Sequence, residues 1–135
     1  MSEQNANWAG NRVPPTPVGD PSTKRFWDAC AEGKLLIGRG ADGKHFYPPR
    51  PISPFTDADG VDWVEAKGTG TIYSFSVMRA KVPYAIAYVE LDEGPRMMTN
   101  IVDCEFSAIK VGARVQLKFV PTAEGGAPVP MFALA

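Results

Sequence analysis

At 135 residues the chain is one domain, or a small domain with appendages. With 44% hydrophobic and 21% charged residues it is not disordered throughout, and 13 glycines plus 13 prolines favour short strands over long helices. Fourteen basic residues face fifteen acidic ones, seven against eight before Trp63 and seven of each from there on; neither half is a basic module, which disfavours phosphate-driven nucleic-acid binding.

Residues 1–20 have no periodicity and carry Val13-Pro14-Pro15-Thr16-Pro17, so they read as an extended or loose arm. The first five residues hold neither a basic nor an apolar region, so no secretory signal is expected. No apolar run approaches the roughly 18 residues of a membrane span, and the expectation is a cytoplasmic protein without a membrane segment. Residues 21–34 read as a helix: Asp20 can accept first-turn amide hydrogens, Pro21 suits the first helical position, and Gly33 supplies a left-handed stop. Phe26, Trp27, Cys30 and Ala31 recur at helical spacing along one stripe. Cys30 and Cys104 are the two cysteines, too few for a disulfide framework or a four-thiolate site, and are expected as small buried apolar residues.

Residues 35–63 form a loop-rich unit. Leu35-Leu36-Ile37 and His45-Phe46-Tyr47 are β-prone, Gly38 to Lys44 is a turn, and the prolines of residues 48–54 exclude helix and central strand. A unit with so little core needs a metal, a disulfide or a neighbour. From Trp63 onward the pattern is β. Val64 to Met78 reads as one long strand bent at Gly68 and Gly70, with Thr71, Tyr73, Phe75 and Val77 on one face. Strands follow at Tyr84–Leu91 and Arg96–Val102, then a short helix within 103–110, then strands at Arg114–Val120 and Val129–Leu134. Three strands, a short helix and two strands match a five-stranded Greek-key OB barrel, so residues 64–135 are read as an OB-fold in a mainly β protein.

Five stretches in order then identify a family. They are Phe26-Trp27-Asp28-Ala29 with Glu32-Gly33-Lys34-Leu35-Leu36; Tyr47-Pro48-Pro49-Arg50-Pro51; Gly68 to Val77; Tyr88 to Gly94; and the Asn100-containing strand. From about Asp20 to the end the chain resembles small acyl-CoA-associated proteins built of an N-terminal helix, a rubredoxin-like zinc ribbon and a C-terminal OB-fold. The resemblance implies that residues 35–63 are that ribbon. The family's four cysteine positions align with Gly40, Gly43, Ser53 and Thr56, which cannot supply a tetrahedral set of soft ligands. The expectation is therefore a degenerate, metal-free ribbon without zinc, held by Phe46, Tyr47, Phe55 and the prolines.

No catalytic constellation emerges. His45, the single histidine, sits in a turn with no nucleophile-elbow motif. Cys104 follows Asp103 with no base in view, and Glu90, Asp92 and Glu93 gather at a hairpin where charges are ordinarily solvated. Gly68-Thr69-Gly70 lacks the lysine ending of a phosphate loop. Arg39, Lys44, Arg50, Arg79 and Lys81 are candidate coenzyme A contacts, since cations beside aromatics suit phosphates and an adenine ring. Phe26, Trp27, Phe46, Tyr47 and Phe55 are candidate interface residues. The resemblance implies a non-catalytic accessory subunit of an acyl-CoA enzyme, a thiolase or related condensing enzyme first, a hydratase or aldolase second. Such a subunit would bind no cofactor of its own and would share a coenzyme A thioester with its partner. The alternatives are a single-strand nucleic-acid binder stacking bases on Tyr73 and Phe75, and a stand-alone enzyme using Cys104 or His45.

Overall fold

The computed structural model describes residues 6–56 and 59–135. Asp20 organises the entry to the helix: its Oδ1 accepts the amide hydrogens of Ser22 (2.9 Å) and Thr23 (3.1 Å). Helix α1 then runs Lys24–Ala31, shorter than the expected 21–34, because residues 20–23 form that preceding turn. Gly33 (φ +79°) does end it in the left-handed region, its N–H donating to the Cys30 carbonyl. Phe26, Ala29 and Cys30 are the buried face.

The loop-rich unit expected over residues 35–63 holds a three-stranded antiparallel sheet in which β1 (Leu36–Arg39) lies between β2 (His45–Phe46) and β3 (Asp62–Glu65). It has no separate core. Leu35 and Ile37 are fully buried in the same cluster as Phe26, Cys30 and Ala66, and that cluster continues into the barrel. A neighbour, rather than a disulfide, supplies the burial such a small unit requires.

The barrel is closed in the order β4 (Thr69–Met78), β5 (Tyr84–Leu91), β6 (Arg96–Val102), β8 (Val129–Leu134), β7 (Arg114–Val120), with a 3₁₀ turn at Phe106–Ala108 between β6 and β7. This is the expected OB-fold order. No helix among the described residues is long and apolar enough to cross a membrane.

Two expectations are corrected. The single strand over 64–78 is two: β3 pairs with β1 in the ribbon sheet, and the barrel strand begins only at Thr69. Between them Ala66 is buried and Gly68 adopts φ +82°, a conformation that favours glycine, while its carbonyl accepts the Leu117 amide hydrogen. The β-bulge lies not at the glycines but between Ile72 and Ser74. Gly70 has a different purpose, since a Cβ there would sit 2.6 Å from the Glu90 carbonyl oxygen on β5.

The second correction concerns the arm, which is docked along residues 7–16. Trp8 bridges Glu105, the Ala9 amide donates to the Cys104 carbonyl, and Ala9 is buried. Further on, Pro14 and Thr16 accept hydrogen bonds from Ala123 and Glu124. Val13-Pro14-Pro15 lacks helical or alternating pattern because its partners are supplied by distant barrel loops.

Register fixes what β4, β5 and β6 present. Ala85, Ala87, Val89 and Leu91 point inward and are almost wholly buried. Tyr84, Ile86 and Tyr88 therefore point outward, opposite Met78, Ser76 and Ser74 on β4, with Met98 and Asn100 beside them on β6. The bulge breaks the expected β4 alternation, so Val77 packs against the core while Tyr73 is exposed.

Candidate functional site

β6 and β8 run parallel and pair only at Ile101–Phe132 and Val102–Ala133. Ahead of those pairs the strands splay, and Met97–Asn100 and Val129–Met131 open one wall of a groove of about 430 Å³. One bond crosses the splay, from the Thr99 hydroxyl to the Pro130 carbonyl (3.1 Å). The facing wall comes from the helix and ribbon: Phe26, Trp27, Tyr47 and Trp63, with the outward Tyr84 and Ile86 as floor. The rings are locked against each other, Phe26 lying edge-on to Trp27 at 5.0 Å and to Tyr47 at 6.1 Å. Burial pushes the Tyr47 phenol up to about 12, so it is a neutral donor across the working pH range.

Two guanidinium groups, Arg12 and Arg50, line this groove, and no acidic side chain does. Arg12 arrives on the docked arm; its guanidinium carbon lies 4.2 Å from the centre of the Tyr84 ring, and it donates at 3.5 Å to Asn100 Oδ1. Asn100 is held in turn by a bond from Nδ2 to the Ala85 carbonyl. Arg50 donates to the Pro49 carbonyl (3.2 Å). Among the described residues neither guanidinium has a carboxylate partner.

The five candidate coenzyme A contacts do not share this groove. Of them Arg50 alone lines it. Arg39 pairs with Asp62 across the ribbon sheet at 3.3 Å, and the Lys44 ammonium stands 5.3 Å from the Phe55 ring. Arg79 lies over Phe106 beside a shallow hollow next to the 3₁₀ turn, and Lys81 is exposed in the β4–β5 connection. Of the aromatic candidates, Phe26, Trp27 and Tyr47 are brought together in the groove. Phe46 is buried against Gly38, where a Cβ would stand 2.4 Å from its ring, and is structural. Phe55 is 55% exposed, so it does not help hold the ribbon together as expected. The groove residues missed from the sequence include Arg12, Trp63, Tyr84, Ile86 and Met98. The alternation of Tyr84, Ile86 and Tyr88 marked an outward face, but the facing wall and the docking of the arm are tertiary.

Of the four aligned ligand positions, Gly40 and Ser53 face each other, a Cβ on Gly40 lying 3.1 Å from Ser53 Oγ, whereas a Cβ on Gly43 would meet nothing within 4 Å. Ser53 is buried, and its hydroxyl accepts the Phe55 amide hydrogen. Gly40 donates its amide hydrogen to Lys44 and its carbonyl accepts from Gly43, closing the first knuckle. These residues do not fit a zinc ion, since two offer no side chain and the buried hydroxyl is already engaged. No group of three or more His, Cys, Asp or Glu side chains among the described residues could hold a metal.

His45 lies opposite Arg39 in the ribbon sheet, far along the fold from Cys104, whose thiol is pushed up by burial and then by Asp103. The hairpin carboxylates are structural: Asp92 takes both Arg114 nitrogens, at 2.8 and 2.9 Å, and Glu93 accepts the Lys67 amide hydrogen. Arg96, itself paired with Glu90, covers one face of the half-exposed Tyr73 ring at 3.9 Å.

The C-terminal OB-fold domain of ChsH2 matches this chain over residues 63–120. A DUF35 domain-containing scaffold protein of Methanothermobacter thermautotrophicus is 35% identical over 114 residues, covering 77% of this chain and 86% of that protein. The 3-oxo-4,17-pregnadiene-20-carboxyl-CoA hydratase alpha subunit of Mycobacterium tuberculosis is 32% identical over 110 residues, 77% of this chain but 35% of the relative. The chain thus spans about a third of the length of the hydratase alpha subunits it matches. Among solved structures, the Ltp2–ChsH2(DUF35) aldolase superposes with a TM-score of 0.76 at 30% identity, over 87% of this chain and 98% of that one. With a helix, a ribbon sheet and an OB barrel in that order, the chain belongs to the DUF35 family of acyl-CoA-associated OB-fold proteins.

Proposed function

We propose that this protein is a non-catalytic accessory subunit of a cytoplasmic acyl-CoA enzyme, working as part of a hetero-oligomer. The observation that carries the reading is the likeness to the DUF35 chain of an aldolase complex over 98% of that chain's length. The relatives named as scaffold proteins and as hydratase alpha subunits point the same way. The scattered cations, the buried thiols and the lone histidine, paired in strand β2, give no support to a stand-alone enzyme. Among acyl-CoA enzymes, a hydratase or aldolase is favoured over the thiolase that the sequence resemblance put first, because those are the activities its relatives carry in their names. The acyl thioester belongs to the partner's reaction. This chain would bind no zinc, its ribbon being held instead by Phe46 on Gly38 and by the shared core.

The barrel face is the surface best suited to that partner. Tyr73, Met78, Tyr88 and Met98 are large apolar side chains, each 40% exposed or more, gathered on the outward side of β4, β5 and β6. Exposed aromatics and methionines in one patch are what protein interfaces draw on. Affinity purification of the full chain from its native source, with co-eluting proteins weighed by native mass spectrometry, tests the reading. A hydratase- or aldolase-like enzyme at fixed stoichiometry is expected, with turnover that falls when this chain is removed. A protein that elutes alone and monomeric overturns it.

A further inference from the structure

The groove between helix, ribbon and barrel joins three properties that do not arise from packing alone. Its volume of about 430 Å³ falls within the 300–1,000 Å³ range of small-molecule sites. Its walls are mostly aromatic and aliphatic, with Trp27, Trp63, Ile86 and Met98 prominent. Its charge is one-sided: two guanidinium groups line it, no carboxylate does, and neither cation is ion-paired among the described residues.

Five of the fourteen cations, Arg39, Arg96, Arg114, Lys24 and Lys118, are paired with an acidic side chain, and what distinguishes the groove is that its two arginines converge on one apolar hollow that no acidic side chain lines. The two arginines at the groove are left with donors in hand. Arg12 spends one nitrogen on a long bond to Asn100 and stacks on Tyr84, and Arg50 spends one on a backbone carbonyl. A guanidinium carries five N–H donors in a fixed fork that matches carboxylate and phosphate oxygens. An apolar floor flanked by cations without acidic neighbours selects a molecule with an apolar body and a negative end.

We infer that this groove is a binding site for a small anionic amphiphile, an acyl or ring-bearing carboxylate or phosphate. Its apolar body lies along Trp27, Trp63, Ile86 and Met98, and its negative group meets Arg12 and Arg50. Arg12 is delivered by the N-terminal arm, so the arm is part of the site. The site needs no partner chain, and this inference stands or falls separately from the accessory-subunit reading.

The test uses the purified full chain, whose Trp27 and Trp63 report from inside the groove while Trp8 bridges Glu105 on the arm. Decanoate, decyl phosphate, decanol and coenzyme A lacking an acyl group are each titrated below micellar concentration, following tryptophan emission. Both acyl anions are expected to give a saturable change, with decanol at least about tenfold weaker, the factor of one charge-assisted hydrogen bond. The tighter of the two anions identifies the head group as carboxylate or phosphate. Arg12→Gln with Arg50→Gln is expected to bring the anions to the level of decanol while the melting temperature holds, and either single variant gives the intermediate loss if the double variant folds poorly. No saturable change, equal affinity for decanol and the anions, unchanged binding in the arginine variants, or tightest binding by coenzyme A without its acyl body would each overturn the assignment.

Discussion

Gly38 and Gly70 show how a single missing Cβ sets an element's position. At Gly38 the Phe46 ring lies where a methyl group would be, and at Gly70 the Glu90 carbonyl does. Neither has an unusual backbone conformation; the constraint is contact with a ring and with backbone that cannot yield. Gly38→Ala is expected to cost about 1–3 kcal/mol through overpacking against Phe46, read from the denaturant midpoint. The thiols make a second residue-scale prediction. Cys30 is wholly buried, and burial pushes its thiol up to about 11. Both cysteines should therefore resist an aromatic disulfide reagent near pH 8 until the chain unfolds. Rapid labelling of the native protein would contradict this burial.

Asp92 links residue to element. Its carboxyl is held well below the usual range, first by the Arg114 hydrogen bonds and then by the Thr69 hydroxyl. A carboxyl depressed in the folded state contributes stability that is complete above its unfolded value of about 4 and is lost as the pH falls below it toward the folded value. Asp92→Asn should flatten the acid limb of a melting-temperature profile between pH 2 and 6 and lower stability at neutral pH. An unchanged acid limb would place the acid sensitivity elsewhere. The arm is the other element whose role can be measured. The amides of Ala9, Phe106 and Ala123 donate across the contact between arm and barrel, so all three should be protected from hydrogen exchange. Removal of residues 1–16 should expose Phe106 and Ala123 to exchange and destabilise the barrel by a typical single-site amount, about 0.5–3 kcal/mol.

At the scale of the whole molecule, one continuous core joins helix, three-stranded sheet and barrel, and this is why so small a sheet can keep its shape. The two surfaces adjoin: the groove opens where β6 and β8 splay and takes in Tyr84, Ile86 and Met98, and the exposed Tyr73, Met78 and Tyr88 continue the outward barrel face beyond it. Tyr88→Glu is expected to weaken the complex with the partner enzyme at least about tenfold, as loss of an interface anchor does, while the melting temperature of the isolated chain holds within a few degrees. Native mass spectrometry reads the first quantity and calorimetry the second.

Local pattern determined a good deal. Strands Tyr84–Leu91, Arg96–Val102, Arg114–Val120 and Val129–Leu134 fall where alternation and turn residues place them, because each has one face on a core and pays no heed to distant partners. The OB order and the family follow from those strands and from the Tyr47-Pro48-Pro49-Arg50-Pro51 and Gly68–Val77 stretches. Three things only the tertiary structure decided. The run from Val64 to Met78 divides at Gly68 because its two ends pair with different sheets, a choice made by β1 and β7. The bulge falls at Ile72–Ser74 because register against β5 sets it, not glycine content. The arm, without any period of its own, brings Arg12 to the groove because Ala9, Arg12 and Thr16 find partners about a hundred residues away. Contacts of that separation leave no local signature, so the groove's charge and its apolar walls came together only on folding.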